Sequence, residues 1–95
     1  MLSSKQKAKL KGIAMTQPSI FQIGKGSINE NLVEGLNSAL KSKELIKVTL
    51  LKTSGDDPLA IAKELEQLTE STLVEVKGKT AVFYKKSDKE IIELD

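Results

Sequence analysis

The stretch with the clearest chemical meaning is Gly24-Lys25-Gly26-Ser27, set between an apolar run, Ile20 to Ile23, and an amphipathic segment that begins near Asn29. Glycine lets the backbone take positive φ and lets another backbone approach closely. The first turn of a helix presents amides that have no intrahelical partner and a partial positive charge. With Lys25 adding a full charge at the tip, the combination suits an anion, and a phosphodiester is the natural guest. A dinucleotide fingerprint would need a third glycine where Asn29 stands, and a P-loop would need four residues between its glycines followed by Lys and Ser or Thr. Free nucleotides are therefore not expected here. A Gly-x-Gly ahead of a capped helix can also serve only to make the turn, and spacing alone leaves both readings open.

A second basic element lies upstream. Residues 1–29 carry Lys5, Lys7, Lys9, Lys11 and Lys25 without one acid, whereas residues 30–95 carry ten lysines against thirteen acids. One basic end attracts polyanions from a distance while the remainder repels them. All fifteen cations are lysine, a point charge better matched to phosphates than to base edges. Lys47, inside an apolar run, and Lys77 and Lys79, on either side of Gly78, are further candidates. The bland alternatives are a solvated helix face for the first four, a strand-edge lysine for Lys47 and a soluble turn for the last two.

Other chemistry is thinly supplied. The chain has no histidine and no cysteine, which removes the commonest general base, the thiol nucleophile, disulfides and thiolate metal sites. Asp56-Asp57 resembles a carboxylate pair but reads better as a loop residue and an N-cap, and Glu64 and Glu66 cannot share a helix face. No enzyme, cofactor or metal is expected. Phe21, Phe83 and Tyr84 are the only aromatic residues. Phe83 and Tyr84, adjacent in a strand, point to opposite faces and suit the core better than a stacking platform. No signal peptide or membrane-length apolar run is present, so a cytoplasmic protein is expected; a monomer is expected as well.

The elements that must position these residues follow from periodicity. A single domain over residues 1–95 is expected, with 86–95 as a charged tail. Residues 3–15 predict a helix with an apolar stripe at Leu10, Ile13 and Ala14, ended by Gln17-Pro18-Ser19. Ile20 to Ile23 predicts a strand. Residues 29–42 predict a second helix on Leu32, Val33, Leu36, Ala39 and Leu40; either Ser27, with Glu30 in a capping box, or Asn29 could cap it. Leu45 to Leu51 predicts the strongest strand. After the loop at Thr53-Ser54-Gly55-Asp56, Asp57-Pro58 opens a third helix running to about Thr69, with Ile61, Ala62, Leu65 and Leu68 inward. Leu73 to Val76 and Thr80 to Lys85 predict a hairpin. Ile91-Ile92 could add a short strand or dock on the body. The order is α-β-α-β-α-β-β, an α/β (α+β) domain with one mixed four-stranded sheet, in which strands joined by helices pair in parallel.

Several segments together resemble a known family: Ser4-Lys5-Gln6-Lys7, Ile20 to Ile23 running into Gly24-Lys25-Gly26, Glu44-Leu45-Ile46-Lys47-Val48, and Val74-Glu75-Val76-Lys77-Gly78-Lys79-Thr80 before Val82-Phe83-Tyr84. In order and spacing they are similar to the YhbY-like proteins, stand-alone versions of the CRM (chloroplast RNA splicing and ribosome maturation) domain. The resemblance implies a fold similar to the C-terminal domain of translation initiation factor three. It also implies RNA binding through a G-x-x-G loop, and for bacterial members a link to precursors of the large ribosomal subunit. The loop falls on Gly24, Lys25, Gly26 and Ser27, so serine replaces the closing glycine. Serine at positive φ would cost on the order of 1 kcal/mol. The RNA-binding set expected is thus Gly24, Lys25, Gly26, Ser27, Asn29, Lys5, Lys7, Lys9, Lys11, Lys47, Lys77 and Lys79. The competing expectation is a protein-interaction module that docks through the acidic third helix and the Ile91-Ile92 tail.

Overall fold

The computed structural model describes residues 2–24, 28–51, 57–88 and 92. Helix α1 spans Ser4–Met15, strand β1 Phe21–Ile23, helix α2 Glu30–Lys43, strand β2 Leu45–Leu50, helix α3 Pro58–Thr69, strand β3 Thr72–Lys77 and strand β4 Thr80–Tyr84. The expected order is therefore observed.

Local chemistry sets the helix starts. Ser3 caps α1 in a capping box with Gln6, whose side chain returns to the Ser3 amide. Asn29 is the N-cap of α2, its Oδ1 accepting from Leu32 N at 2.9 Å. Asp57 caps α3 through Leu59 N, with Pro58 in the first turn. Each cap satisfies an amide that the helix itself leaves orphaned.

The sheet order is β1-β2-β4-β3. β1 and β2, joined by α2, pair in parallel; β2 with β4, and β4 with β3, pair antiparallel. β2 and β3, joined by α3, thus run in the same direction but are not neighbours, contrary to the expected parallel pairing. The hairpin folds β4 back into the gap, where Ala81 and Phe83 enter the main core and both edges of β4 are hydrogen-bonded.

Side-chain alternation divides the sheet into two faces. Ile23, Ile46, Val48, Leu50, Ala81 and Phe83 pack against Leu36, Leu40, Ala62 and Leu65 of α2 and α3. On the other face Leu45, Val74, Val82 and Tyr84 pack against Leu10 and Ala14 of α1, with Ile92 from the tail alongside. Phe83 and Tyr84 do point to opposite faces, and both are buried. Gly35 gives the Phe21 ring room against α2: a Cβ there would stand 3.4 Å from the ring. Leu68, expected inward, is 45% exposed. The arc that α3 buries is Ala62, Leu65 and Thr69, and Leu68 lies about 100° round from Thr69. Ile91 and the Thr53 to Asp56 loop fall outside the described residues; Ile92 packs on the body rather than extending the sheet.

Candidate nucleic-acid interface

Three connections meet at one end of the sheet. β1 and β2 are parallel, so the turn after Ile23 and the segment after Leu50 leave from the same end. Thr49 pairs with Thr80, and Leu50 N donates to Lys79 O, which places the β3–β4 hairpin there too. Gly78 makes that turn at φ +59°, where a side chain would be strained.

Lys25, Gly26 and Ser27 fall outside the described residues; the anchors of their turn do not. Ile23 is fully buried, and its carbonyl accepts from Leu51 N at 2.8 Å. Gly24 is partly exposed. Ile28 packs against the main core immediately before the Asn29 cap. The turn therefore leaves one packed residue and returns to another, directly ahead of the orphan amides of α2.

The α1 lysines do not form one patch. Residues two apart on a helix lie about 200° apart, whereas residues four apart are neighbours. With Leu10 and Ala14 against the sheet, Lys7 and Lys11 fall on one flank and Lys5 and Lys9 on the other. Lys11 lines a groove of about 410 Å³ together with Lys47, Lys77, Glu75 and Met15, so this flank is the one that meets the hairpin. Lys5, Lys9 and Lys11 are exposed and Lys7 is half-buried.

Lys47 is on the α1 face of β2, paired with Val82. Its Nζ donates to Ala14 O and Gln17 O, each at 3.4 Å. A cation at a helix C-terminus meets the negative end of the dipole and carbonyls that lack partners. Lys47 thus fastens the end of α1 to the sheet. Lys77 and Lys79 are exposed.

Cross-strand register adds to Lys77 three polar residues that the sequence did not single out, Gln22, Thr49 and Thr80. Gln22 pairs with Thr49, Thr49 with Thr80, and Thr80 with Lys77. The four side chains form one row over all four strands on the α1 face, spanning about 14 Å at the usual strand spacing. Gln22 and Lys77 are exposed, while Thr49 and Thr80 are half-buried. Thr49 Oγ1 donates to Ser19 Oγ at 2.7 Å. The row connects the glycine turn at one edge to the lysine groove at the other.

The opposite end of the sheet holds a different polar centre. Glu44, fully buried, accepts from Ser87 N and Ser87 Oγ on one carboxylate oxygen and from Ile92 N on the other. Lys85 Nζ donates to Thr69 O at the end of α3. On α3, the Glu66 carboxylate accepts from Leu73 N, so part of the acidity of this helix is spent inside the fold. Among the described residues no group of three or more carboxylates is placed to hold a metal ion, and no helix is long and apolar enough to cross a membrane.

Comparison with known proteins agrees with this architecture. The family model described as the CRS1 / YhbY (CRM) domain matches residues 2–85. The chain is 40% identical over 87 residues to the Probable RNA-binding protein YqeI of Bacillus subtilis, covering 92% of this chain and 91% of that one. It is 33% identical over 88 residues to the Probable RNA-binding protein PA4753 of Pseudomonas aeruginosa, covering 93% and 85%. The solution structure of the hypothetical protein SAV1595 from Staphylococcus aureus superposes with a TM-score of 0.82 at 43% identity, covering both chains completely. By the match of nearly its whole length, the chain belongs to the CRS1 / YhbY (CRM) domain family.

Proposed function

We propose that this protein binds RNA without catalysing a reaction, and that its target is ribosomal RNA during assembly of the large subunit. The general part of the reading is supported by family membership and by relatives named as RNA-binding. The ribosomal part rests on the resemblance to YhbY-like proteins. One observation carries the mechanism: a turn anchored by Ile23 and Ile28 precedes a capped helix at the sheet end that also bears Lys77 and Lys79.

In this mechanism the Gly24 to Ser27 turn and the first amides of α2 hold one backbone phosphate. Lys25, Lys7, Lys11, Lys77 and Lys79 neutralise its neighbours, while Lys5 and Lys9 add charge from the far flank. The hydroxyl and amide groups of the Gln22–Lys77 row suit phosphate oxygens and ribose 2′-hydroxyls. Phe83 and Tyr84 are buried and Phe21 is packed against Gly35, so backbone and shape recognition dominates over aromatic stacking.

The test is binding of Lys25→Ala to a structured ribosomal RNA fragment over a range of salt. The variant should bind more weakly, with the slope of log K against log salt smaller by roughly 0.7–0.9. If affinity and slope both match the unaltered protein, the turn does not hold phosphate. Crosslinking and sequencing of attached RNA in cells identifies the target; recovery of RNA other than the large-subunit species would overturn the ribosomal part alone.

A further inference from the structure

The groove beside α1 is built in a way that backbone binding does not require. Strict alternation along β3 would put Glu75 on the same face as Leu73, which packs toward α2 and α3. The register instead slips between Leu73 and Glu75. Val74 packs on the α1 side, and Glu75, paired with Val82, faces that side as well. The bulge has turned a carboxylate into a groove whose other charges are lysines, a common use of bulges at functional sites.

The rest of the groove suits a planar guest. Ala14 and Val82, both buried, provide an apolar floor, and Met15 stands at the rim with 81% of its surface exposed. A methionine is a flexible, polarizable surface that makes favourable contacts with aromatic rings. Lys47 is bonded to the carbonyls of Ala14 and Gln17. Among the described residues no side-chain hydrogen bond or ion pair engages Lys11, Lys77 or Glu75. The three lysines against one acid favour an anionic guest, and the volume of about 410 Å³ falls within the range of small-ligand pockets.

We infer that this groove is a subsite for one unpaired nucleotide of the bound RNA. The base lies against Met15 over the Ala14–Val82 floor, and Lys11 and Lys77 take the flanking phosphates. Glu75 accepts a hydrogen bond from an exocyclic amino group, as a carboxylate does at cytosine N4. Adenine, cytosine and guanine carry such a group, whereas uracil offers only its N3 imino hydrogen, set between two carbonyl oxygens that a carboxylate repels, so the subsite disfavours uracil. This inference rests on the RNA-binding reading above and adds the substrate class: a helix interrupted by an unpaired, amino-bearing base rather than a continuous duplex.

The experiment compares three RNA stems of equal length by fluorescence anisotropy: fully paired, with one unpaired adenosine, and with one unpaired uridine. The adenosine stem should bind roughly fivefold or more tightly than the paired stem, with uridine between them. Met15→Ala should reduce the adenosine-to-paired ratio, and Glu75→Leu should erase the adenosine-to-uridine ratio while removing a charge that repels RNA. Equal affinity for all three stems overturns the inference, as does an adenosine-to-uridine ratio unmoved by Glu75→Leu. Capture of a protein partner at this face, lost with Met15→Ala while the three stems bind alike, overturns it in favour of protein docking. Lys25→Ala separates the two readings, because it should weaken all three stems alike. If the stems bind equally yet Lys25→Ala weakens them, the subsite fails and the general reading stands; if the ratios persist and Lys25→Ala changes nothing, the turn fails and the subsite stands.

Discussion

Glu44 accepts both the backbone amide and the hydroxyl of Ser87 on a single carboxylate oxygen, at 2.6 and 3.0 Å. Its other oxygen accepts Ile92 N. Glu44 also sits at φ +64°, in the C-cap of α2, with its own amide donating to Leu40 O. A buried carboxylate is tolerable because hydrogen bonds replace its water, and here those bonds draw the C-terminal segment onto the body.

Glu44→Gln keeps the size and removes that balance. A carboxamide offers one oxygen, so an NH2 group would face either the Ser87 or the Ile92 amide. Leaving a buried group unsatisfied costs about 1–3 kcal/mol. Urea denaturation should show a loss of this size, and trypsin should cut after Lys86 faster than in the unaltered protein. An unchanged midpoint and cleavage rate would mean that the latch contributes nothing to stability.

How much of this was legible in the chain differs by kind of information. Caps and periodicities act over a few residues, so Asp57 and the apolar stripes of α1 and α2 placed their helices within a residue or two, while the choice between Ser27 and Asn29 as cap of α2 was decided only by the structure, in favour of Asn29. Ser3 could have been found by the same rule, since Ser3 and Gln6 have capping-box spacing. The split of the α1 lysines was also available, because alternate residues on a helix fall on opposite flanks. Other features depend on contacts far apart in sequence. Glu44 meets residues 43 and 48 positions away, and nothing near Lys43-Glu44-Leu45 announces a buried acid at positive φ. The Gln22–Thr49–Thr80–Lys77 row exists only once strand order and register are known, and the bulge that aims Glu75 leaves no local pattern.

Lys47 gives a prediction about stability rather than binding. Its Nζ bonds the carbonyls that end α1. Lys47→Met keeps the apolar stem and removes the cation, so the protein should lose about 0.5–2 kcal/mol. The RNA salt slope should stay close to its original value, measured on protein folded well below its melting point. A slope reduced as much as by Lys25→Ala would show that Lys47 contacts phosphate directly.

Tyr84 sets a pH dependence at the alkaline end. Burial, and secondarily the negative charge of Glu44, raises its phenol above the ordinary value of 10.0. In the interval between the unfolded and folded values the folded protein keeps a proton that the unfolded chain has released. Stability from this group is therefore constant below about pH 10 and falls as pH climbs through that interval. The comparison is with Tyr84→Phe, whose stability should decline less steeply above pH 10. Parallel profiles for the two proteins would remove Tyr84 as the cause.

Gly12 lies exposed within α1, with no heavy atom within 4 Å of where a Cβ would be. Glycine in a helix interior costs about 0.8–1.0 kcal/mol relative to alanine. Gly12→Ala should therefore stabilise the protein by up to that amount, raising the melting temperature by roughly 4–8 °C. A melting temperature that falls instead would mean that α1 needs glycine for a reason outside the folded chain's own contacts.

The two flanks of α1 should contribute unequally to RNA binding. Lys11 shares its groove with Lys77 at the hairpin end, and Lys7 lies one turn before it on the same flank, whereas Lys5 and Lys9 follow the opposite flank. Direct phosphate contacts release counterions; distant charges only raise the local potential. Lys7→Gln with Lys11→Gln should lower the salt slope by roughly 1.4–1.8, two contacts' worth. Lys5→Gln with Lys9→Gln removes the same net charge and should weaken binding less, with a smaller change in slope. The two double variants isolate placement from charge, because glutamine retains helix propensity in both. Equal losses from the two would mean that net charge alone governs affinity and that RNA does not approach from the hairpin side.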